Sequence, residues 1–292
     1  MTILAFDIGG SAVKYGVWDQ DELKDKGKFI SPKTWQEMKA ELLSVKKLLA
    51  AKHDFVGVAL SAPGAVNPKA RKIEGVSALK YIHDIPIFDE LEELFSLPVS
   101  MENDANSAAL AEVWRGSAKE NENVLFVVVG TGVGGSVIVN REVQHGAHLF
   151  GGEFGLMLLN ENQTFSDLAT PVQMGWRYAE RKNISKDAID GRRVFELAEA
   201  GDEIAIEEVD KFYYYLAIGL YNLTYSFDPE KIILGGGLSN KEGLIERIEE
   251  EFEKIFERVD HDLFRPVLDL CTYKNDANLI GAVYNFQQNK KE

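Results

Sequence analysis

Apolar positions along the chain switch between two periods. Ile3 to Phe6 is a short apolar run closed by Asp7 and the pair Gly9-Gly10. Apolar residues at 13, 15 and 17 then alternate with Lys14 and Gly16, which predicts a returning strand over 13–18. From Trp35 to Lys52 the period lengthens, and Met38, Leu42, Val45, Leu48 and Leu49 fall on one helical face. Phe55 to Leu60 reads as a strand ending in the turn Ser61-Ala62-Pro63-Gly64. Ile87 to Phe95 reads as a helix ending before Pro98, Val99 to Met101 as a short strand, and Asn103 to Trp114 as a helix with Asp104 in or before its first turn.

The second half follows the same logic. Val124 to Val129 is apolar, Gly130-Thr131-Gly132-Val133-Gly134-Gly135 is a turn, and Ser136 to Val139 is apolar again. Helical patterns occupy Val194 to Ala200 and Ile204 to Phe227, and a strand at Lys231 to Leu234 closes in Gly235-Gly236-Gly237. Leu244 to Val259 is a charged amphipathic helix, Val267 to Thr272 a last strand and Asn278 to Gln288 a last helix. The alternation predicts an α/β protein in two halves, each opening with strand, glycine turn and return strand. The polar stretch from Arg115 to Asn123, with Gly116, marks the boundary between an N-terminal domain, 1–115, and a C-terminal domain, 116–275. Lys290, Lys291 and Glu292 are expected to form a frayed tail.

Composition narrows the function classes. The 292 residues carry 32 Lys and Arg against 47 Asp and Glu, a net charge of −15, with a single cysteine. The length suits two domains with a sizeable core. One cysteine, Cys271, excludes an internal disulfide framework and a cysteine-based zinc cluster. Strong acidity argues against nucleic acid as a partner. It does not argue against ATP, which a few amides, a lysine and a metal ion can hold. The uncharged stretch Val124 to Asn140 is shorter than the roughly 20 residues of a spanning helix and is broken by glycines, so no membrane segment is expected. No basic residue precedes the first apolar run and Asp7 closes it, which makes a poor signal peptide; a cytoplasmic location is the expectation.

Three glycine turns stand directly after apolar strands: Asp7-Ile8-Gly9-Gly10-Ser11, Gly130 to Gly135, and Gly235-Gly236-Gly237. Amides converging in such turns form an anion-binding concavity suited to phosphate. The alternative is that each is only a tight hairpin. The second contains the letters of a dinucleotide fingerprint, but a strand follows it where the fingerprint needs a helix. Asp7, at the lip of the first turn, is either a magnesium-side ligand acting through water or a cap on the turn's own amides. Lys14 could reach phosphates or simply be solvated. Asp104 could accept a proton from an attacking hydroxyl, as positioned aspartates do in phosphoryl transfer. The competing reading is a helix N-cap. Glu102 beside it has no assigned role. His145 and His148, three apart, could suggest a metal, though no cysteine lies near; Glu153, between glycines, could bond a polar ligand or pair elsewhere.

At these residues the chain resembles the ROK family (repressors, open reading frames, sugar kinases), from Leu4 to about Ala282. Asp7 to Ser11 with Lys14 resembles the family's first phosphate loop, and Ser61-Ala62-Pro63-Gly64 its sugar-side turn. Glu102-Asn103-Asp104-Ala105-Asn106 resembles its catalytic segment, and Val128 to Gly135 its second phosphate loop. Gly151 to Gly155 resembles its sugar motif and Ile232 to Gly237 its adenosine segment. The resemblance implies an α/β protein of the actin-like ATPase (ribonuclease H-like) fold, two α/β domains with an interdomain cleft, the first completed by the last helix at about 276–292. It implies ATP-dependent phosphorylation of a sugar hydroxyl, usually the 6-hydroxyl of a hexose. Asp104 is then the general base, and Asn103 and Glu153 bind the sugar beside Pro63-Gly64. Gly9, Gly10, Ser11, Lys14, Gly130, Thr131, Gly132, Gly134, Gly235, Gly236 and Gly237 hold ATP, and Asp7 lies near Mg2+ through water. The partner is a small-molecule sugar, and a homodimer is compatible with the resemblance. The family also holds DNA-binding repressors, which carry an extra N-terminal module and fit the charge of −15 poorly. A non-catalytic sugar-binding regulator is the other alternative.

Two departures bear on the substrate. The family's sugar motif commonly ends in a histidine that binds sugar and zinc; this chain has Leu156 there. Asn160 to Ala169 replaces the cysteine-rich zinc loop, so no structural zinc is expected, and Asp167 stands near the family's second sugar-binding glutamate, one methylene shorter. These changes predict an altered pocket at the anomeric end of the sugar, one that admits a glycoside or disaccharide.

Overall fold

The computed structural model describes residues 1–259 and 264–290; Lys291 and Glu292, the end of the expected tail, lie outside the described residues. In chain order the elements begin β1 (Ile3–Ile8), β2 (Ala12–Asp19), β3 (Glu22–Ile30), α1 (Trp35–Leu49), β4 (Gly57–Ala62), β5 (Ala65–Asn67), β6 (Lys72–Glu74), α2 (Ile87–Phe95), β7 (Val99–Asn103) and α3 (Asp104–Arg115). They continue β8 (Val124–Val129), β9 (Val133–Val139), β10 (Glu142–Val143), α4 (Phe165–Leu168), α5 (Pro171–Lys182), α6 (Gly191–Glu199), α7 (Glu203–Phe227), β11 (Lys231–Gly235), α8 (Leu244–Val259), β12 (Leu268–Leu270) and α9 (Ala277–Asn289). The chain divides into two compact units: Met1–Lys119 with His145–Gly151 and the segment from Thr272 onward, and Glu120–Gln144 with Gly152–Cys271. His145–Gly151, which the sequence places inside the second half, thus belongs to the first unit.

The first unit is built on a sheet of order β3-β2-β1-β4-β7. β1 pairs antiparallel with β2 and parallel with β4, which pairs parallel with β7. Every residue of β1 is buried, as expected of a central strand that reads as an unbroken apolar run. β3 escapes a hydrophobic-pattern reading because none of its residues is buried; its lysines and acids make it a charged edge strand. The buried Glu112 accepts the N–H groups of Ser117, Thr272 and Tyr273 at 2.9, 2.9 and 3.0 Å, fastening the end of α3 to the returning chain. α9 lies on α3 so closely that a Cβ on Gly281 would stand 1.6 Å from the Ser107 carbonyl oxygen. Gly281→Ala is therefore expected to destabilise the protein by about 2 kcal/mol or more, since the helices must part to admit the methyl. An unchanged urea midpoint would refute this.

The second unit repeats the plan with the order β10-β9-β8-β11-β12, β8 antiparallel to β9 and parallel to β11. Its core joins Leu125, Val127, Phe165, Phe212, Leu216 and Ile248. The sequence pattern passes over α5, although Thr170 caps it and Pro171 occupies its first turn, both start signals. Met174 and Tyr178, four apart, face the core. Two sheets of the same order and sense are the duplicated arrangement of the actin-like ATPase fold, the α/β class expected above. No helix among the described residues is long and apolar enough to cross a membrane.

Candidate active site

In the first unit Asp7, next to last in β1, has only 6% of its surface exposed. Its charge is compensated by residues from three other elements. Lys14 on β2 lies 3.3 Å from Oδ2, while Ser61 Oγ on β4 and Asn278 Nδ2 on α9 donate to Oδ1 at 3.1 and 3.0 Å. The sequence marks Asn278 only as the start of a helix, so a partner 271 positions away could not be read from it. Among the described residues no N–H of the turn donates to Asp7, so the carboxylate is not its cap. The Gly9 N–H donates to the Ala12 carbonyl at 3.1 Å, and a Cβ on Gly9 would stand 2.8 Å from that oxygen. Gly9 is thus demanded by the hairpin itself, whereas Gly10 and Ser11 are exposed at its tip.

Asp104 opens α3, but the N-cap is Asn103. Asn103 Oδ1 accepts the N–H groups of Ala105 and Asn106 at 2.9 and 3.2 Å, and its Nδ2 donates to the Gly64 carbonyl at 3.1 Å. The capping role that competes for Asp104 in the sequence is therefore filled by its neighbour. Asp104 Oδ1 accepts the Ala105 N–H at 2.9 Å. Gly64, with φ +98°, takes a conformation a side chain would strain, and a Cβ there would meet His83 and Ile73 at 2.8 Å. The Pro63-Gly64 turn and the Asn103-Asp104 segment are so locked together. Glu102, without a role in the sequence reading, is 5% exposed and pairs with His145. His145 is thereby engaged by a carboxylate, His148 is exposed, and among the described residues no group of three or more His, Cys, Asp or Glu is arranged to hold a metal.

In the second unit a pocket of about 660 Å³ is lined by Gly130, Thr131 and Gly237 from two of the glycine turns. Val129, Pro171, Val172, Phe195 and Leu238 supply apolar walls, and Arg192, Glu196, Glu199 and Lys241 a charged rim. Its volume suits a small organic ligand. Lys241 Nζ sits 4.5 Å over the Phe195 ring and 3.3 Å from Glu199. The glycines of these turns divide by cause. A Cβ on Gly235 would lie 2.6 Å from the Phe126 ring, and Gly236 has φ +83° with Val129 O 2.5 Å from where its Cβ would be. Those two are structural. A Cβ on Gly130, Gly134 or Gly237 would meet nothing within 4 Å, and none of the three has positive φ. A Cβ on Gly132 would meet Ser166 Oγ at 3.5 Å; that hydroxyl accepts the Val133 N–H at 2.9 Å, and the Gly130 N–H donates to the Gly132 carbonyl at 2.9 Å, which steadies the turn.

Glu153 is exposed and leads into the short turn Phe154–Leu156, where Leu156 is 65% exposed. Asp167 forms a capping box with Thr164, accepting its N–H and hydroxyl at 2.9 and 2.8 Å. Those bonds hold its carboxyl below the ordinary aspartate range. Among the described residues no hydrogen bond joins Asp167 to Glu153.

The chain matches the ROK family over residues 3–289. It is 34% identical over 297 residues to a Beta-glucoside kinase of Listeria monocytogenes, covering 99% of this chain and 98% of that protein. It is 35% identical over 297 residues to a Beta-glucoside kinase of Klebsiella pneumoniae, covering 99% and 97%. Its structure is similar to that of a ROK family protein from Streptococcus pneumoniae in complex with sucrose, with TM-score 0.90, 35% identity and coverage of 100% of this chain and 99% of the other.

Proposed function

The chain belongs to the ROK family, and from that premise we propose that it is a carbohydrate kinase, transferring the γ-phosphoryl group of ATP to a hydroxyl, the 6-hydroxyl, of a hexose or hexoside. The observation that carries the reading is the pair Gly130 and Gly237, bare where the protein's own packing leaves room for a side chain, in a pocket of nucleotide size. Space kept free without a structural demand is space for a ligand.

Asp104 takes the proton of the acceptor hydroxyl as the sugar oxygen bonds to the γ-phosphorus and the bond to the β-phosphate oxygen breaks, releasing ADP. Asn103, its Oδ1 committed to the helix, offers its second amide hydrogen to the sugar. Glu153, Asp167 and the Pro63-Gly64 turn are the further sugar-binding residues of this reading. Gly9, Gly10, Ser11, Lys14, Thr131, Gly132, Gly134, Gly235 and Gly236 serve the nucleotide with Gly130 and Gly237. Asp7 would hold Mg2+ through water; its buried carboxylate, with two neutral donors and one lysine, fits that task. The ion supplies charge neutralisation on the phosphates.

The substrate class follows from Leu156. An exposed leucine where the family commonly carries a sugar-binding histidine offers an apolar surface to whatever is attached at the anomeric oxygen. Relatives named for β-glucosides and a neighbour holding sucrose agree with a glycoside. A coupled ADP-release assay with ATP and Mg2+ is expected to give higher kcat/KM on β-glucosides and disaccharides than on free glucose. A strict preference for glucose overturns the glycoside assignment. Absence of ADP release with every sugar would instead leave a regulatory sugar-binding protein.

A further inference from the structure

We infer that His145 is a positioning residue for the transfer, holding through Glu102 the turn that presents Asn103 and Asp104. The inference rests on the sugar-kinase reading. Its basis is a carboxylate with every oxygen engaged. Glu102 Oε1 accepts the Asn103 N–H at 2.8 Å and the Asn106 Nδ2 at 3.0 Å, and Oε2 lies 2.9 Å from His145 Nε2. One group at the end of β7 therefore ties together the helix cap, the first turn of α3 and an imidazole 43 residues away. The His145 carbonyl accepts the Gly151 N–H at 2.8 Å, closing residues 145–151 into a loop. That loop is the piece of the first unit that interrupts the second along the chain, and Glu153 stands two positions after it in sequence.

A carboxylate only 5% exposed is costly to bury unless its charge is met. Asn103 and Asn106 meet it with neutral donors; protonated His145 meets it with charge. Glu102, facing His145 from β7, raises the imidazole pKa above its ordinary value, against the opposing effect of burial. Asp104, at the start of α3, is the other carboxylate of this turn. The sign follows from the raised pKa. The charged pair is complete below the ordinary histidine value of about 6.5 and fades as pH rises through the raised one. A neutral imidazole can still donate one N–H, so the turn loosens rather than detaches.

The test is kcat at saturating sugar and ATP between pH 6 and 9, for wild-type protein, H145Q and H145L, with thermal melts as controls. Wild-type kcat is expected to fall about three- to tenfold on the alkaline side, as a charge-assisted bond becomes a neutral one. Glutamine can place an amide N–H near the Nε2 position without titrating, so H145Q should show one kcat across the range, close to that of wild type on the alkaline side, and lose the alkaline fall. H145L should lose about ten- to a hundredfold in kcat at every pH, with KM for ATP unchanged, the cost of a misplaced base. An alkaline fall in H145Q equal to wild type, or wild-type kcat in H145L, overturns the inference. If H145L does not fold, the comparison of H145Q with wild type decides. A 13C-edited histidine titration needs no turnover, and a His145 that titrates at or below the ordinary value also overturns it. A wild-type protein inactive on every sugar refutes the kinase reading instead.

Discussion

Asp104→Asn is expected to lower kcat by about a thousandfold while sugar binding stays close to wild type, the loss typical of a removed general base. Local geometry lets the helix start survive the substitution. Asn103, and not Asp104, caps α3, so the helix start does not depend on the carboxylate. An asparagine at 104 can still accept the Ala105 N–H through its amide oxygen, as Asp104 Oδ1 does at 2.9 Å. What changes is the ability to take a proton. A negative charge at a helix N-terminus contributes roughly 0.3–1 kcal/mol, so only a small fall in melting temperature should accompany the loss. The measurement is steady-state kinetics beside calorimetric titration of the sugar. Near-normal turnover in a folded variant would remove Asp104 from the chemistry. Loss of sugar binding equal to the loss of kcat would make it a binding residue.

How much of this was legible in the sequence depends on the distance over which each signal acts. The strands that run into the glycine turns, and the helix beginning at Asp104, are local patterns and stand close to where periodicity puts them, although β9 already begins at Val133 and takes in Gly134 and Gly135, and β4 runs on through Ser61 and Ala62, residues the sequence reads as turn. β3 hides because an exposed edge strand has no apolar alternation to display. The partners of Asp7 hide for a different reason: Ser61 and Asn278 reach it from β4 and α9, and nothing local in either segment announces it. Glu102 and His145 are likewise legible as residue types but not as a pair. The competition between cap and base at 103–104 needed atomic positions, because asparagine and aspartate serve equally well as caps. The glycines show the limit most clearly. In sequence Gly236 and Gly237 are equivalent; in space one answers to the backbone and the other to nothing in the protein.

That difference yields an expected reversal of the usual coupling between stability and function. Gly130→Ala and Gly237→Ala should leave the protein as stable as wild type or slightly more so. At a position whose backbone an alanine can adopt, the substitution reduces the freedom of the unfolded chain and stabilises by about 0.4–1 kcal/mol. Neither glycine has positive φ, and each added Cβ would meet nothing within 4 Å. Yet both line the pocket of the second unit, and a methyl there keeps phosphate oxygens from the turn's amides. KM for ATP is expected to rise about tenfold or more, corresponding to about 1.4 kcal/mol of lost binding. Gly236→Ala is the counterpart. Its φ of +83° and the Val129 oxygen 2.5 Å from the added carbon should cost stability outright, with about 1–2 kcal/mol from the backbone conformation alone. Thermal melts and ATP-dependence of the sugar-kinase rate on the three variants separate the cases. If the first two bind ATP as wild type does, the bare glycines serve something other than phosphate, and the nucleotide must be sought elsewhere on the chain. If they unfold with Gly236→Ala, the open space around them is needed by the protein itself, and the argument from unoccupied room fails at its first step.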